Sequence, residues 1–240
     1  MAIIEWKKDE SAAVVTMNNG ENRHNMDFAD TMLATLEAIK SDATVTSIVL
    51  TSSDEKNFCL GIDVEWLGRK MGEKDFNSIK EFMYKMNRVF QEIMLFPVPV
   101  IAAINGHAFG NGAILSCACD FRFMKSDRGF FCFPEVNIGI PFLPGMIEFV
   151  KKAIPYYKFN EMKLSGRRVG AAELAEHHII EKASADRDEL LKDALGFAKT
   201  FAKKRGIFGE MKKRLHKNII AVMDAEDKVF IEKLFLMIAD

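Results

Sequence analysis

Val98–Ile104 is an unbroken apolar run, and Asn105-Gly106-His107-Ala108-Phe109-Gly110-Asn111-Gly112 follows it directly. After this glycine loop comes Ala113–Cys119, which is short, apolar and rich in small residues. An apolar run bounded by turn residues reads as a strand buried on both faces, and the small-residue segment reads as a buried helix. Neither element has a polar side to turn to water, so both must be covered by other layers, which demands a layered α/β core. A chain of 240 residues, 49% of them hydrophobic, is long enough to build such a core as one domain without disulfides or metals.

The rest of the chain fits that frame. Ile3–Trp6 and Ala13–Met17 read as a β-hairpin, and Asn18–Asn25 as a polar loop. Asp27 is expected to cap a helix carrying Met32, Leu33, Leu36 and Ile39 at helical spacing. Ser47–Thr51 is a short buried strand. Phe58-Cys59-Leu60-Gly61-Ile62-Asp63 is a second junction of strand, glycine and helix. The spacing of Ile79, Phe82, Met83, Met86, Val89, Phe90 and Ile93 predicts a helix over about Phe76–Phe96, closed by Pro97 and Pro99. Phe121–Met124 reads as a strand and Gly129–Phe133 as an edge-like stretch. From Pro144 the chain reads as helical, with breaks near Pro155, Gly166, Gly170, Gly206 and Gly209.

Several functional classes are disfavoured. The formal net charge is −1, which offers no field for nucleic acid or an anionic membrane. No apolar run reaches the roughly 18 residues that span a bilayer. Met1–Glu10 has no apolar signal core, and the closing Leu234–Asp240 carries no peroxisomal or reticulum address, so a cytoplasmic protein is expected. Cys59, Cys117, Cys119 and Cys132 include no C-x-x-C pair and read as reduced buried thiols, with no metal site. His177 and His178 adjoin and cannot both face one metal. Lys199, Lys203, Lys204, Arg205, Lys212, Lys213, Arg214 and Lys217 read as a solvated helix face, with a phosphate contact as the alternative.

Three segments carry chemistry. The glycine loop lacks the third glycine of a dinucleotide fingerprint and has no Walker pattern, which leaves a plain tight turn or an oxyanion site. In the latter, free N–H groups at a helix N-terminus face a ligand, Gly110 and Gly112 allow close approach, and Asn111 tolerates unusual dihedrals. The Gly61 junction could supply a second amide to the same oxygen, the minimum for holding an oxyanion. Glu135 is a lone carboxylate in the apolar Phe133–Pro141 segment, where desolvation would raise its pKa towards that of a neutral-pH general base. There is no G-x-S-x-G elbow.

Ala102–Gly112 resembles the A-A-[IV]-N-G-x-[AC]-x-G-G-G signature of the crotonase (enoyl-CoA hydratase/isomerase) superfamily. Phe58–Asp63 resembles that family's F-[SC]-x-G-x-D, and Phe133-Pro134-Glu135 with Gly139 its P-E-x-x-x-G. The resemblance implies a ββα spiral core over residues 1–185 holding an acyl-CoA site, and a C-terminal helical trimerisation region over 186–240. It implies an acyl-CoA thioester as partner, no cofactor beyond the CoA of the substrate, and a homotrimer or a hexamer of two trimers. The thioester oxygen would rest on the backbone amides of Leu60 and Asn111, with Gly61, Gly110, Phe109 and Ile114 around the substrate. Arg23, His24 and Asn25 are the candidates for contacting the CoA nucleotide, while Asp63 is expected to cap the next helix. Trp66, Leu67, Met71, Phe82, Phe109 and Phe142 are candidates for an acyl tunnel. Hydratases of the family use two glutamates; here the first position is Ile114 and only Glu135 remains. That pattern is similar to the Δ3,Δ2-enoyl-CoA isomerases, in which one carboxylate moves a proton from C2 to C4, and Glu135–Pro141 is similar to the E-V-x-I-G-[IL] stretch of peroxisomal-type members. A hydratase, lyase or hydrolase of the same fold and a catalytically silent acyl-CoA-binding subunit are the alternatives.

Overall fold

The computed structural model describes residues 2–235. The hairpin is β1 (Ile4–Asp9) and β2 (Ala12–Met17); α1 (Met26–Ser41), β3 (Ser47–Ser52), β4 (Asn57–Cys59), α2 (Val64–Gly72) and α3 (Phe76–Leu95) follow. Next come β5 (Val100–Ile104), β6 (His107–Phe109), α4 (Asn111–Ala118), β7 (Phe121–Lys125), β8 (Phe131–Cys132), α5 (Glu135–Ile138), α6 (Pro144–Ala153), α7 (Tyr156–Ser165), β9 (Arg168–Val169), α8 (Ala171–Glu176) and β10 (Lys182–Ser184). The chain closes through α9 (Arg187–Lys199), α10 (Arg205–Leu215), α11 (Lys217–Val222), a π-helical turn at Met223–Asp227, and α12 (Lys228–Glu232). Of the closing Leu234–Asp240 stretch, residues 236–240 lie outside the described residues.

The strands form two sheets. The larger has the order β1-β2-β3-β5-β7-β10, parallel except for the β1–β2 hairpin; the smaller has the order β4-β6-β8-β9. The pairs β3/β4, β5/β6 and β7/β8 each place one strand in the large sheet and the next in the small one. The fold is therefore the expected α/β spiral of ββα turns with helices at the C-terminal end. Alternation along the central strands shows both faces buried. Ile48, Leu50, Val100, Ala102 and Ile104 enter the main core with α1 and α3, while Val49, Ile101 and Ala103 face Leu190, Ala194 and Ala198 of α9. Helix α9 thus covers the second face of the large sheet although it lies beyond residue 185.

Local expectations are corrected in several places. The N-cap of α1 is Asn25, whose Oδ1 accepts the Phe28 N–H at 3.1 Å, and Asp27 sits in the first turn instead. Strand β1 continues through Lys7, Lys8 and Asp9, which an edge strand tolerates because its outer side meets water. Gly206 and Gly209 do not break α10; Gly209 lies where that helix crosses Pro97, and a Cβ there would stand 3.2 Å from the proline Cβ. The expected breaks at Gly166 and Gly170 enclose a short strand, β9, and a further strand, β10, interrupts the stretch after them that reads as helical. Lys212 is not on a solvated face: it is buried and donates to Asp120 Oδ2 (2.7 Å) and the Ile93 carbonyl (3.2 Å). Lys199 pairs with Asp9 and Glu10, and Arg205 donates to the carbonyls of Lys40 and Asp42.

Candidate active site

The two glycine junctions both line a cavity of about 330 Å³. In the first, β4 ends at Cys59, Gly61 takes φ +80°, and Asp63 caps α2 by accepting the Trp66 N–H at 2.9 Å. A parallel bridge ties this turn to the polar loop before α1. His24 N–H donates to the Gly61 carbonyl (2.7 Å), and Asp63 N–H donates to the His24 carbonyl (2.9 Å). In such a bridge the groups of the intervening residue face the other way. The Ile62 N–H has no acceptor among the described residues, and Ile62 lines the cavity. The Leu60 N–H, by contrast, donates to the Glu21 carbonyl at 3.0 Å. Leu60 lines the cavity but cannot offer its amide, and the free amide of this junction is that of Ile62.

In the second junction Gly110 (φ 52°) ends β6, and Asn111 opens α4 with no side-chain cap. The Asn111 N–H is the first of the helix and has no intrahelical acceptor. A Cβ on Gly61 would stand 2.9 Å from Asn111 N and 2.8 Å from the Phe109 carbonyl oxygen, so the two junctions are in contact only because residue 61 is glycine. Ile62 and Asn111, one from each junction, both line the cavity beside that contact.

Glu135 arrives on the neighbouring strand. Strand β8 pairs in parallel with β6, and Gly110 N–H donates to the Cys132 carbonyl at 3.0 Å. The one-turn helix α5 starts at Glu135 and closes on Gly139 in the left-handed region. Glu135 is 7% exposed, and its Oε1 lies 3.2 Å from where a Cβ on Gly110 would be. Burial pushes its pKa up to about 7, opposed by the nearby Lys163. Ile114 of α4 and Phe109 line the same cavity, and its apolar wall includes Leu67, Met71, Phe82 and Phe142. Trp66 is not in that wall; it packs behind it against Phe82 at 5.1 Å between ring centroids.

Two candidates for the CoA nucleotide lie elsewhere than expected. His24 is 0% exposed and takes no part in the lining. Its Nδ1 stands 3.0 Å from Asn111 Nδ2 and its Nε2 3.0 Å from Cys59 Sγ, while that thiol donates to the Asn22 carbonyl at 3.0 Å. Burial lowers the His24 pKa to about 3 and raises that of Cys59 to about 12, so both are neutral. Asn111 then donates to Nδ1, Nε2–H donates to the sulfur, and the chain of donors runs one way from Asn111 to Cys59. His24 is thus a brace for Asn111. Asn25 caps α1 and donates to Asp63 Oδ2 at 3.1 Å. Arg23 does line the cavity and pairs with Glu21 at 2.7 Å.

Lys163 was not singled out from the sequence. Its Nζ is 3.9 Å from Glu135 Oε2 and 3.3 Å from the centroid of the Phe142 ring. The available signal was its place on α7, four residues after the buried Phe159 and beside the buried Met162, which puts a lysine on a core-facing stripe.

The sequence model of the family described as enoyl-CoA hydratase/isomerase matches residues 7–233. The chain belongs to that family. Membership supports acyl-CoA binding and enoyl-CoA hydratase/isomerase chemistry for the chain. This family member is similar to the peroxisomal enoyl-CoA delta isomerase 2 of Arabidopsis thaliana, with 29% identity over 238 residues covering 96% of this chain and 98% of that one. It is also similar to the short-chain-enoyl-CoA hydratase of Clostridium acetobutylicum, with 35% identity over 138 residues covering 56% and 50%. In fold it matches the enoyl-CoA hydratase of Bacillus halodurans with a TM-score of 0.85 at 20% identity, covering 96% and 94% of the two chains.

Proposed function

We propose that this enzyme is a Δ3,Δ2-enoyl-CoA isomerase in which Glu135 alone moves the proton. The observation that carries this is the content of the cavity: Glu135 is the one carboxylate among its described lining residues, and Ile114, 2% exposed, stands where a second would be needed to hold water. In this mechanism the thioester oxygen accepts from the Ile62 and Asn111 amides. The Glu135 carboxylate takes a proton from C2 of the 3-enoyl-CoA, and the C–H electron pair forms a dienolate with its charge on the thioester oxygen. Collapse of the dienolate restores the thioester carbonyl and makes the C2=C3 bond, while C4 takes the proton back from Glu135. No water or other reactant is consumed. A carboxyl with a pKa of about 7 is nearly balanced between base and acid at neutral pH, as a shuttle requires. Each amide donor to the developing oxyanion contributes about 3–4 kcal/mol, and the apolar Ile114 keeps water from quenching the dienolate.

The test is turnover of 3-hexenoyl-CoA, followed by the rise in conjugated-enoyl absorbance. Glu135→Gln should lower kcat by roughly 10²–10⁴-fold. No absorbance rise with the unaltered protein, or full activity in Glu135→Gln, would refute the mechanism, and rapid hydration of crotonyl-CoA would favour a hydratase. The same proposal takes the enzyme as cytoplasmic, with no cofactor beyond the CoA of its substrate. It also takes it as a trimer or a dimer of trimers, supported by the exposed Ile207, Met211 and Leu215 along α10 and testable by light scattering.

A further inference from the structure

Lys163 is a charge in a place where an apolar residue would pack as well. It lies on α7, its side chain is 18% exposed, and its Nζ is buried with no hydrogen-bond partner among the described residues. Glu135 Oε2 is buried and unpartnered in the same sense, and the two atoms stand 3.9 Å apart. Phe142, stacked against Phe159, carries the ammonium on its ring face at 3.3 Å from the centroid. Burying an ammonium in apolar surroundings is costly, and an ion pair of this kind is often no more stable than an apolar replacement. What the lysine does is electrostatic, and the group it acts on is Glu135.

We propose that Lys163 is a positioning residue for Glu135: its ammonium, braced on Phe142, holds the carboxylate ionised and keeps Oε2 turned to α7 and Oε1 to the start of α4. This rests on reading Glu135 as the acid–base of the cavity. A nearby cation favours the ionised carboxylate needed to take the C2 proton. It also makes the conjugate acid stronger, which helps the return of that proton to C4. Desolvation lowers the Lys163 pKa to about 8, so the ammonium persists through neutral pH. The other groups facing the pair are few. The Cys132 thiol on β8 is pushed up to about 11 by burial and by Glu135, and so is neutral; Arg168 on β9 acts on that thiol, and Arg23 lies on the cavity wall paired with Glu21.

The experiment compares the full-length protein with Lys163→Met, Lys163→Gln and Lys163→Arg. In the pH profile of kcat/KM on 3-hexenoyl-CoA, the acid limb of Lys163→Met and Lys163→Gln should move up by at least about one pH unit, a loss of about tenfold on that limb. Activity should recover near pH 9, and Lys163→Arg should keep the original limb. Thermal stability of Lys163→Met should be unchanged or higher, which separates positioning from a packing role. The protonated-carboxyl infrared band, assigned by its loss in Glu135→Gln, should titrate at higher pH in Lys163→Met. That band is read without turnover, so it tests the proposal even if the protein fails to isomerise 3-enoyl-CoA. A limb and a band that titrate unchanged in both Lys163→Met and Lys163→Gln would overturn it.

Discussion

Replacing Gly61 by alanine should damage the proposed oxyanion site far more than it damages the fold. At φ +80° an alanine carries a conformational cost of roughly 1–2 kcal/mol. The added Cβ would also stand 2.8 Å from the Phe109 carbonyl oxygen and 2.9 Å from Asn111 N, both of them backbone atoms that cannot rotate away. Ordinary contact requires each to retreat by roughly half an ångström, about the tolerance of a productive catalytic geometry. In the proposed mechanism the Ile62 and Asn111 amides then no longer meet one oxygen, and loss of one such donor costs about 3–4 kcal/mol, or roughly 10²–10³-fold in kcat. Gly20 supplies the control: it has φ +55° and nothing within 4 Å of an added Cβ. Gly20→Ala should show the conformational cost in urea unfolding and leave kcat intact. The assay is kcat on 3-hexenoyl-CoA beside urea midpoints for both variants. A Gly61→Ala enzyme within about threefold of the unaltered kcat, or an equal kcat loss in Gly20→Ala, would refute the assignment of the hole to this contact.

Two further outcomes follow from buried groups. His24→Leu leaves Asn111 Nδ2 buried without an acceptor, so unfolding free energy should fall by about 1–3 kcal/mol and kcat by about tenfold, and Asn111→Gly in the same background should recover part of the stability by removing the orphaned amide. Asp227, 1% exposed, accepts from Gly145 N–H and Asn87 Nδ2, and burial raises its pKa to about 6. A raised carboxyl pKa means that the folded state holds the proton longer than the unfolded chain. The stability it contributes is full below the unfolded pKa of 3.8 and is lost as pH rises through about 6. Asp227→Asn should flatten that slope between pH 4 and pH 7, a difference of up to about 3 kcal/mol in urea unfolding. Asn87 Oδ1, which has no partner, can accept from the new amide after a side-chain flip.

The parts of this molecule legible in its sequence are those whose cause is local. Val98–Ile104 is apolar at every position because β5 is buried on both faces, and the junctions at Gly61 and Gly110 announce themselves because only glycine suits their backbone. The strands β6, β9 and β10, two or three residues each, are too short for a period of two to register and exist only through their neighbours. The same distinction runs through the site. Glu135 could be picked out because a carboxylate among Phe133, Pro134 and Ile138 is locally improbable. Which amide of Leu60-Gly61-Ile62 faces the cavity could not, because that depends on Glu21 and His24 binding the other side of the turn from a loop nearly forty residues earlier. Lys163 is the extreme case. On α7 it is one more lysine in a helix with Lys158 and Glu161 beside it, and only the packing of that helix against Phe142 and α5 turns it into the counter-charge of Glu135. Residue identity decides which chemistry is possible, but the proton affinity of Glu135 is set by groups that the spiral brings together from separate turns. It follows that a chain keeping all three motifs but losing the charge at 163 would present the same signature and a different pH dependence.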